Sequence, residues 1–195
     1  MKLAQNFNYS EFTKTLWDKL DQRTQIMLQA MANLLQVIRT EIGKPIVISS
    51  GARSLADYKR LQSQGLNPSP TSDHFYGAKV PCQPGSAAFK KYGATYNLAV
   101  GAADMVCPSM DTVEFYNFIA KMRYAGKIKT GQLLLEKNNT MWVHIANFMD
   151  PFLSPAEKKL RGDWSLSGMG YSLNNGKTWT KLDQAKKELL PKNLK

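Results

Sequence analysis

Two histidines and one aspartate are the residues of this chain whose types and spacing could do chemistry. His74 and His144 are the only histidines in the sequence, and each lies in a short segment typical of a strand end. Asp104 adds an acid of the metal-ligand type. Imidazole nitrogen and carboxylate oxygen suit zinc, and three protein ligands leave a fourth position for water, as in catalytic rather than structural zinc sites. The alternative is that both histidines are hydrogen-bonded packing residues in half-buried strands.

A predicted β-hairpin places His144 on a strand. Residues 132–136 and 141–148 are mostly apolar and are joined by a polar turn. A metal ligand gains precision on such a rigid element. Trp142 lies two residues before His144, so the two side chains share one face of the strand. We therefore expect Trp142 either to line the site or to be a tryptophan of the hydrophobic core.

Helical periodicity is clearest from residue 24 to residue 42. Apolar residues recur there at steps of three and four, and Gly43 supplies the left-handed residue that ends a helix. Similar capping and periodicity signals predict further elements. They are helices at 10–20, 55–64 and 111–126, and a buried strand at 45–49.

These elements predict an α+β fold for residues 1–150. The sheet is expected to be small and mainly antiparallel, with helices packed on one face and the site at one edge of the sheet. Residues 151–195 form a predicted C-terminal extension. The extension contains a hairpin around the Asn-Gly turn at 175–176 and a short basic helix at 182–190.

The composition is that of an ordinary globular chain with a strongly basic surface. The formal net charge of +11 favours anionic partners such as wall polymers, lipopolysaccharide, nucleic acid or acidic proteins. The lysines are spread along the chain, without a dense basic tract that contains aromatic residues. No specific nucleic-acid module is therefore expected.

The sequence contains no segment that could span a bilayer and no apolar run of signal-peptide length after Met1. We therefore expect a protein that is made in a cytoplasm without a signal peptide. In that compartment Cys82 and Cys107 are expected to remain thiols rather than to pair. If the protein acts on a cell wall, a lysis pore or a virion has to carry it there.

Three motifs of the chain resemble the metal-binding signature of peptidase family M15, the zinc D-alanyl-D-alanine carboxypeptidases and L-alanyl-D-glutamate endopeptidases. The motifs are Ser72-x-His74-x-x-Gly77, Ala103-Asp104 and Trp142-x-His144. Segments 8–13, 43–54 and 132–136 agree with the phage and bacterial branch of the family. Because the order and rough spacing match from about residue 6 to residue 148, the resemblance implies an M15-like fold for this part of the chain.

The resemblance also implies the roles of individual residues. The implied zinc ligands are His74, Asp104 and His144, with the aspartate preferred over either cysteine as the third ligand. The implied substrate contacts include Ser72, Gln132 and Trp142.

Arg53 has two interpretations. The resemblance implies that it faces the substrate, where it would bind a peptide carboxylate or stabilise an oxyanion. From its position alone, directly after a strand, it would be a surface arginine that caps the next helix.

A zinc peptidase also needs a carboxylate that takes a proton from water and passes it to the leaving amine. In the best-known M15 members a glutamate stands three residues before the last histidine, but that position is Met141 here, and methionine cannot transfer a proton. The phage branch carries a Gln-Leu-x-x-Glu pattern on the preceding strand, which this chain retains from Gln132 to Glu136. The resemblance therefore implies Glu136 as the base. The alternative is a fold that has kept its metal and lost its base.

The chain departs from the family after Gly77, because residues 78–100 separate the first histidine motif from Asp104. This insertion is rich in proline, glycine and aromatic residues, and it is predicted to be an extended loop or hairpin near the site. It could serve as a substrate lid or as a docking arm.

The expected function is that of a zinc-dependent peptidase that hydrolyses peptidoglycan stem peptides containing D-amino acids. A bacteriophage endolysin or a virion-associated wall-degrading protein fits the missing signal peptide. The alternative is a non-catalytic M15-like component of a phage tail or baseplate, with 78–100 and 151–195 as contact surfaces for other virion proteins. A nucleic-acid-binding protein, whose affinity would fall steeply with salt, is ranked last.

Overall fold

The structure is a computed structural model, and it describes residues 1–65, 68–148, 152–161, 168–174 and 176–194. Over these residues the chain forms ten strands and five α-helices. The strands are β1 (Lys2–Ala4), β2 (Phe7–Asn8), β3 (Val47–Ser50), β4 (Val80–Pro81), β5 (Thr95–Tyr96), β6 (Ala102–Val106), β7 (Thr130–Lys137), β8 (Met141–Asn147), β9 (Met169–Ser172) and β10 (Thr180–Lys181). The helices are α1 (Gln22–Ile42), α2 (Leu55–Ser63), α3 (Ala87–Tyr92), α4 (Thr112–Tyr124) and α5 (Pro155–Arg161).

Six of these strands form one sheet in the order β10-β9-β7-β8-β6-β3. Neighbouring strands are antiparallel except β7 and β9, which are parallel. The predicted α+β class with a small, mainly antiparallel sheet is confirmed, and the hairpin predicted from 132 to 148 is formed by β7 and β8. The strand predicted at 45–49 is β3, which lies at the edge of the sheet. Its Val47 is 47% exposed, so the prediction that this strand is buried is wrong.

The two faces of the sheet carry different side chains, because successive residues of a strand alternate between faces. One face carries the apolar residues that form the main core with α1 and α4. These residues are Ala103, Met105, Leu133, Leu135, Val143 and Ile145. The opposite face of the central strands carries Asp104, Gln132, Glu136 and His144. The site therefore lies on a face of the sheet, and the prediction that it lies at an edge is wrong.

Helix α1 packs against the core face of the sheet, and its sequence explains both of its ends. Asp21 caps the helix by accepting a hydrogen bond from the backbone N–H of Thr24 at 2.7 Å. Gly43 ends it with a φ of 64°, which favours glycine. The buried residues recur at the predicted helical spacing and include Met27, Leu28, Met31, Leu35 and Ile38. Among the described residues, no helix has both the length and the hydropathy needed to cross a membrane.

The helix predicted for residues 10–20 is wrong. This stretch contains two short 3₁₀ turns, Tyr9–Glu11 and Trp17–Lys19. The carbonyl oxygen of Phe12 accepts a hydrogen bond from the backbone N–H of Ala52 at 2.6 Å, which ties the segment to the residues that follow β3. An α-helix would use that carbonyl for its own hydrogen bonds, so the tertiary contact replaces the helical one.

The insertion at 78–100 forms a small hairpin with a helix between its strands. β4 pairs with β5, and α3 lies between them in the chain. Several apolar residues of the insertion join a second buried cluster with Tyr58, Phe75 and Ala146. The predicted hairpin is therefore present, and it is packed against the body of the protein.

The C-terminal extension continues the main sheet. β9 pairs in parallel with β7, and β10 pairs with β9. The hairpin predicted around residues 175–176 is therefore confirmed, although Asn175 itself lies outside the described residues. The division of the chain at residue 150 stays a prediction.

The helix predicted at 182–190 is wrong. Asp183 instead closes a turn by accepting hydrogen bonds from backbone N–H groups that follow it. The backbone N–H of Leu190 then donates to Oδ1 of Asn117 at 2.8 Å, so the chain is held against α4. The α-helix that the structure shows in the C-terminal extension is α5, which was not predicted from the sequence.

Candidate metal centre

Two hydrogen bonds hold His74 in place, one to its backbone and one to its ring. It lies in the 3₁₀ turn Asp73–Phe75, and Ser72 Oγ accepts a hydrogen bond from its N–H at 3.4 Å. Its ring nitrogen Nδ1 lies 2.7 Å from the carbonyl oxygen of Gly51. Because a carbonyl oxygen can only accept, Nδ1 carries the hydrogen of this bond. In the neutral ring the other nitrogen, Nε2, therefore presents a lone pair.

Asp104 and His144 are opposite each other on β6 and β8. Oδ1 of Asp104 lies 2.9 Å from Nδ1 of His144 and 3.2 Å from Nε2 of His74. The side chains of Asp104, His144 and His74 are 14%, 7% and 4% exposed, respectively. We call these three residues the His-Asp-His group.

Gln132 fixes the orientation of the second histidine. Its Oε1 lies 3.1 Å from Nε2 of His144, so this ring nitrogen carries a hydrogen and donates it. The remaining nitrogen, Nδ1, faces Asp104. In the neutral ring Nδ1 is therefore an acceptor, as Nε2 is in His74.

With both rings neutral, three acceptor atoms therefore converge in the His-Asp-His group. Such atoms repel one another unless positive charge lies between them, so the group requires either extra protons on the rings or a bound cation. Tetrahedral zinc with bonds of about 2.1 Å needs ligand atoms about 3.4 Å apart, and the two separations from Oδ1 of Asp104 to the ring nitrogens are 2.9 and 3.2 Å. The three ligand atoms lie within 4.8 Å of one another. The donor atoms and their outer hydrogen bonds fit a zinc ion.

The pKa values in the group follow from burial and from the neighbouring charges. Burial by itself raises the pKa of Asp104, but the charges and hydrogen bonds of both histidines outweigh burial and hold this pKa well below its usual range. Burial lowers the pKa of His144, but the hydrogen bond and charge of Asp104 outweigh it and raise this pKa above its usual value. The aspartate therefore keeps the ionised form that metal binding requires.

Glu136 lies beside the His-Asp-His group. Its Oε1 is 3.9 Å from Nδ1 of His144, which is too far for a hydrogen bond. The side chain is 20% exposed, and burial raises its pKa above the usual glutamate value. A carboxylate with raised proton affinity, still in contact with solvent, can take up and release a proton here.

Arg53 follows β3 and faces the same space. Burial lowers the pKa of its guanidinium, whereas the charges of Asp104, Asp57 and Glu136 raise it. Within the described part of the chain, no acidic side chain lies within salt-bridge distance of this guanidinium. Since arginine stays charged at neutral pH, the site contains a partly desolvated positive charge that nearby carboxylates stabilise without forming a direct ion pair with it.

These side chains line one cavity of about 610 Å³. All residues predicted to belong to the site are in its lining, namely Arg53, Ser72, His74, Asp104, Gln132, Glu136, Trp142 and His144. No described residue of the insertion lines this cavity. The thiols of Cys82 and Cys107 are free, buried and outside the His-Asp-His group.

One wall of the cavity comes from the C-terminal extension and was not predicted. Gly176 and Trp179, in the turn between β9 and β10, also line the cavity. The indole of Trp179 remains 40% exposed. The Asn-Gly signal predicts the turn, but no local signal shows that β9 pairs beside β7 and brings the turn to the site.

A buried ion pair next to His74 was also missed. Asp73 receives two hydrogen bonds from the guanidinium of Arg161, at 2.8 and 3.0 Å. The same guanidinium donates to the hydroxyl of Tyr96 in the insertion at 3.1 Å. The pair therefore joins the first histidine motif, the insertion and α5, across a separation of 88 residues in the sequence.

Comparison with known proteins adds no relative. No protein-family model matches the chain, no curated protein matches it, and no solved structure matches it. The M15 resemblance therefore rests on the short motifs quoted above, and the function has to be inferred from the site.

Proposed function

We propose that the protein is a zinc-dependent peptidase that hydrolyses peptidoglycan stem peptides containing D-amino acids. The observation that carries the proposal is the convergence of three possible metal-ligand atoms beside a partly desolvated Glu136 in one cavity. The M15 resemblance of the same residues suggests the substrate class. The protein would act at a cell wall, as a phage endolysin or as a wall-degrading protein of the virion.

The His-Asp-His group would hold the zinc ion. When bound, zinc polarises a carbonyl group and lowers the pKa of a water molecule to near neutrality. The carbonyl oxygen of Gly51 and Oε1 of Gln132 keep both imidazole rings turned toward Asp104. Such outer hydrogen bonds fix the tautomer and the orientation of metal-ligating histidines.

Glu136 would move the proton. Its carboxylate accepts a proton from the attacking water and returns it to the nitrogen of the leaving amine. The raised pKa supports this role, because it brings the proton affinity of the carboxylate closer to neutral pH. Glu136 would replace the glutamate that the best-known M15 members carry at the position of Met141.

Arg53 would bind the substrate. Its unpaired guanidinium offers paired N–H donors to a peptide carboxylate, or to the oxyanion that forms when the peptide bond is attacked. Either group could form the direct ion pair that no acidic side chain among the described residues forms with this guanidinium.

A second candidate function is favoured by one observation, the methionine at position 141. A domain that keeps its metal ligands but lacks an effective base would bind zinc without catalysis. Such a protein would be an M15-like component of a phage tail or baseplate.

Digestion of isolated sacculi separates the two functions. We expect the zinc-loaded protein to release peptides that mass spectrometry detects, and Glu136→Gln to lower the rate at least about 100-fold. Glu114→Gln is the matched control, because Glu114 is an exposed glutamate of α4 that does not line the cavity. A zinc-loaded wild-type protein that releases no peptide would contradict the peptidase proposal and favour the assembly component.

A further inference from the structure

A second cavity adjoins the candidate site. Its volume is about 790 Å³, and Arg53 lines both cavities. Its walls come from the N-terminal residues 10–15, from residues 49–53 at the end of β3, and from one side of α2. We call this cavity the N-terminal groove. Because Arg53 lines both spaces, the two cavities are neighbours on the surface of the protein.

The groove is built on the backbone that also supports the His-Asp-His group. A Cβ atom on Gly51 would lie closer than 3.0 Å to backbone atoms of Phe12, so the N-terminal segment packs directly on this glycine. The carbonyl oxygen of the same glycine accepts the hydrogen of His74 Nδ1 at 2.7 Å. The wall of the groove and the position of His74 are therefore fixed by one residue.

The charges that line the groove leave an excess of cations. Asp57 lies 3.6 Å from Arg60, which neutralises it. The exposed carboxylate of Glu11 accepts a backbone N–H at 2.7 Å and keeps its negative charge, so the groove is lined by three cationic and two anionic side chains. In contrast, Lys14 and Arg53 have no acidic side chain within salt-bridge distance in the described part of the chain. These two unpaired cations line the groove, which suits a ligand that carries carboxylates.

We propose that the N-terminal groove is a second substrate subsite, which binds a carboxylate-bearing stretch of peptide that continues from the candidate site past Arg53 toward Lys14. The inference rests on the proposed peptidase function and specifies its substrate as an extended, carboxylate-bearing peptide. Pockets of about 300–1,000 Å³ take ligands much larger than a dipeptide. Each of the two cavities falls in this range, so a dipeptide would leave most of the space empty.

Calorimetric titration of peptides into the zinc-loaded Glu136→Gln protein tests the subsite without hydrolysis. The probes are the dipeptide D-Ala-D-Ala, the stem pentapeptide L-Ala-γ-D-Glu-L-Lys-D-Ala-D-Ala, and the same pentapeptide with its free D-Glu carboxylate amidated. We expect the unamidated pentapeptide to bind at least about tenfold more tightly than the dipeptide. Amidation is expected to remove most of that difference.

Lys14→Glu, made in the same background, is expected to weaken binding of the unamidated pentapeptide about tenfold and to leave binding of the dipeptide unchanged. Lys19→Glu is the matched control, because it makes the same charge change at an exposed lysine outside the groove. Equal affinities for the dipeptide and the pentapeptide would overturn the proposal. An equal loss in the two lysine variants would also overturn it, since the effect would then be general electrostatics.

The outcome is separable from that of the peptidase proposal. A protein that releases no peptide from sacculi, but binds the pentapeptide with the expected Lys14 dependence, has the subsite without the activity. A protein that digests sacculi but shows no difference between Lys14→Glu and Lys19→Glu has the activity without the subsite.

Discussion

Asp104 and His144 occupy paired positions on β6 and β8, and Oδ1 of the aspartate lies 2.9 Å from Nδ1 of the histidine. The ladder of two central strands sets this alignment. A slip of one residue in the register would turn one of the two side chains onto the apolar face that packs against α1 and α4. The strand pairing that forms the core therefore also aligns two of the three candidate metal ligands.

Gln132 is predicted to support zinc binding through His144. Gln132→Leu removes the acceptor for Nε2 of the imidazole, so the ring is free to turn or to change tautomer. We expect zinc affinity to fall about 10–100-fold, measured by competition with a chromophoric chelator. Gln132→Glu retains an acceptor and should bind zinc more tightly than the leucine variant. Wild-type zinc affinity in Gln132→Leu would show that this contact does not orient the ring.

Gly51 is predicted to couple stability to metal binding. The Cβ of Gly51→Ala would collide with the backbone of Phe12 and displace the carbonyl that holds His74. We expect a loss of about 1–3 kcal/mol in the free energy of unfolding, measured in urea, together with weaker zinc binding.

The comparison variant for that prediction is Gly126→Ala. Gly126 has a φ of 72°, and no atom lies within 4 Å of the position that a Cβ would take, so only backbone strain of about 1 kcal/mol is expected. Zinc binding should not change in this variant. If both variants bind zinc equally well, Gly51 does not position His74.

The buried pair of Asp73 and Arg161 is predicted to be strongly coupled. Arg161→Met leaves an uncompensated carboxylate that is 3% exposed, and it should cost about 3–5 kcal/mol of stability. Adding Asp73→Asn removes that buried charge and should recover part of the loss. Urea unfolding of the two single variants and the double variant measures the coupling. Strictly additive losses would show that the two side chains do not act as a pair.

Trp179 is predicted to contact the substrate. Trp179→Ala removes an exposed indole from the cavity wall, so we expect KM for stem peptides to rise about fivefold or more. Thermal stability should change little. Phe148→Ala is the control, since this aromatic ring is 38% exposed but does not line the cavity. Equal changes in KM in the two variants would show that Trp179 does not contact the substrate.

The elements that could be predicted from the sequence are those with local signals. The periodicity of α1 and its end at Gly43 are contained in one stretch of chain, as are the strands and turn of the β7–β8 hairpin. Residues 10–20 also have apolar residues at helical spacing, but they do not form the predicted helix. Its outcome was decided by a contact between Phe12 and Ala52, which local periodicity does not report.

The side chains of the candidate site could be predicted from the sequence, but the groups that position them could not. The chain has few histidines, so the ligand candidates stand out in the sequence. The carbonyl of Gly51 is an acceptor that every residue type carries, and therefore it leaves no signal. The pairing of Asp73 with Arg161 and the arrival of Trp179 depend on how distant segments pack, which sequence spacing alone does not determine.

Metal content per chain, measured by elemental mass spectrometry on protein purified without added metal or chelator, tests the zinc centre directly. The structure leads us to expect about one zinc per chain, lost in His74→Ala and in His144→Ala. Less than about a tenth of an equivalent in the wild-type protein, with no uptake when zinc is added, would contradict the metal centre. The two histidines would then have to be packing residues that share protons with Asp104.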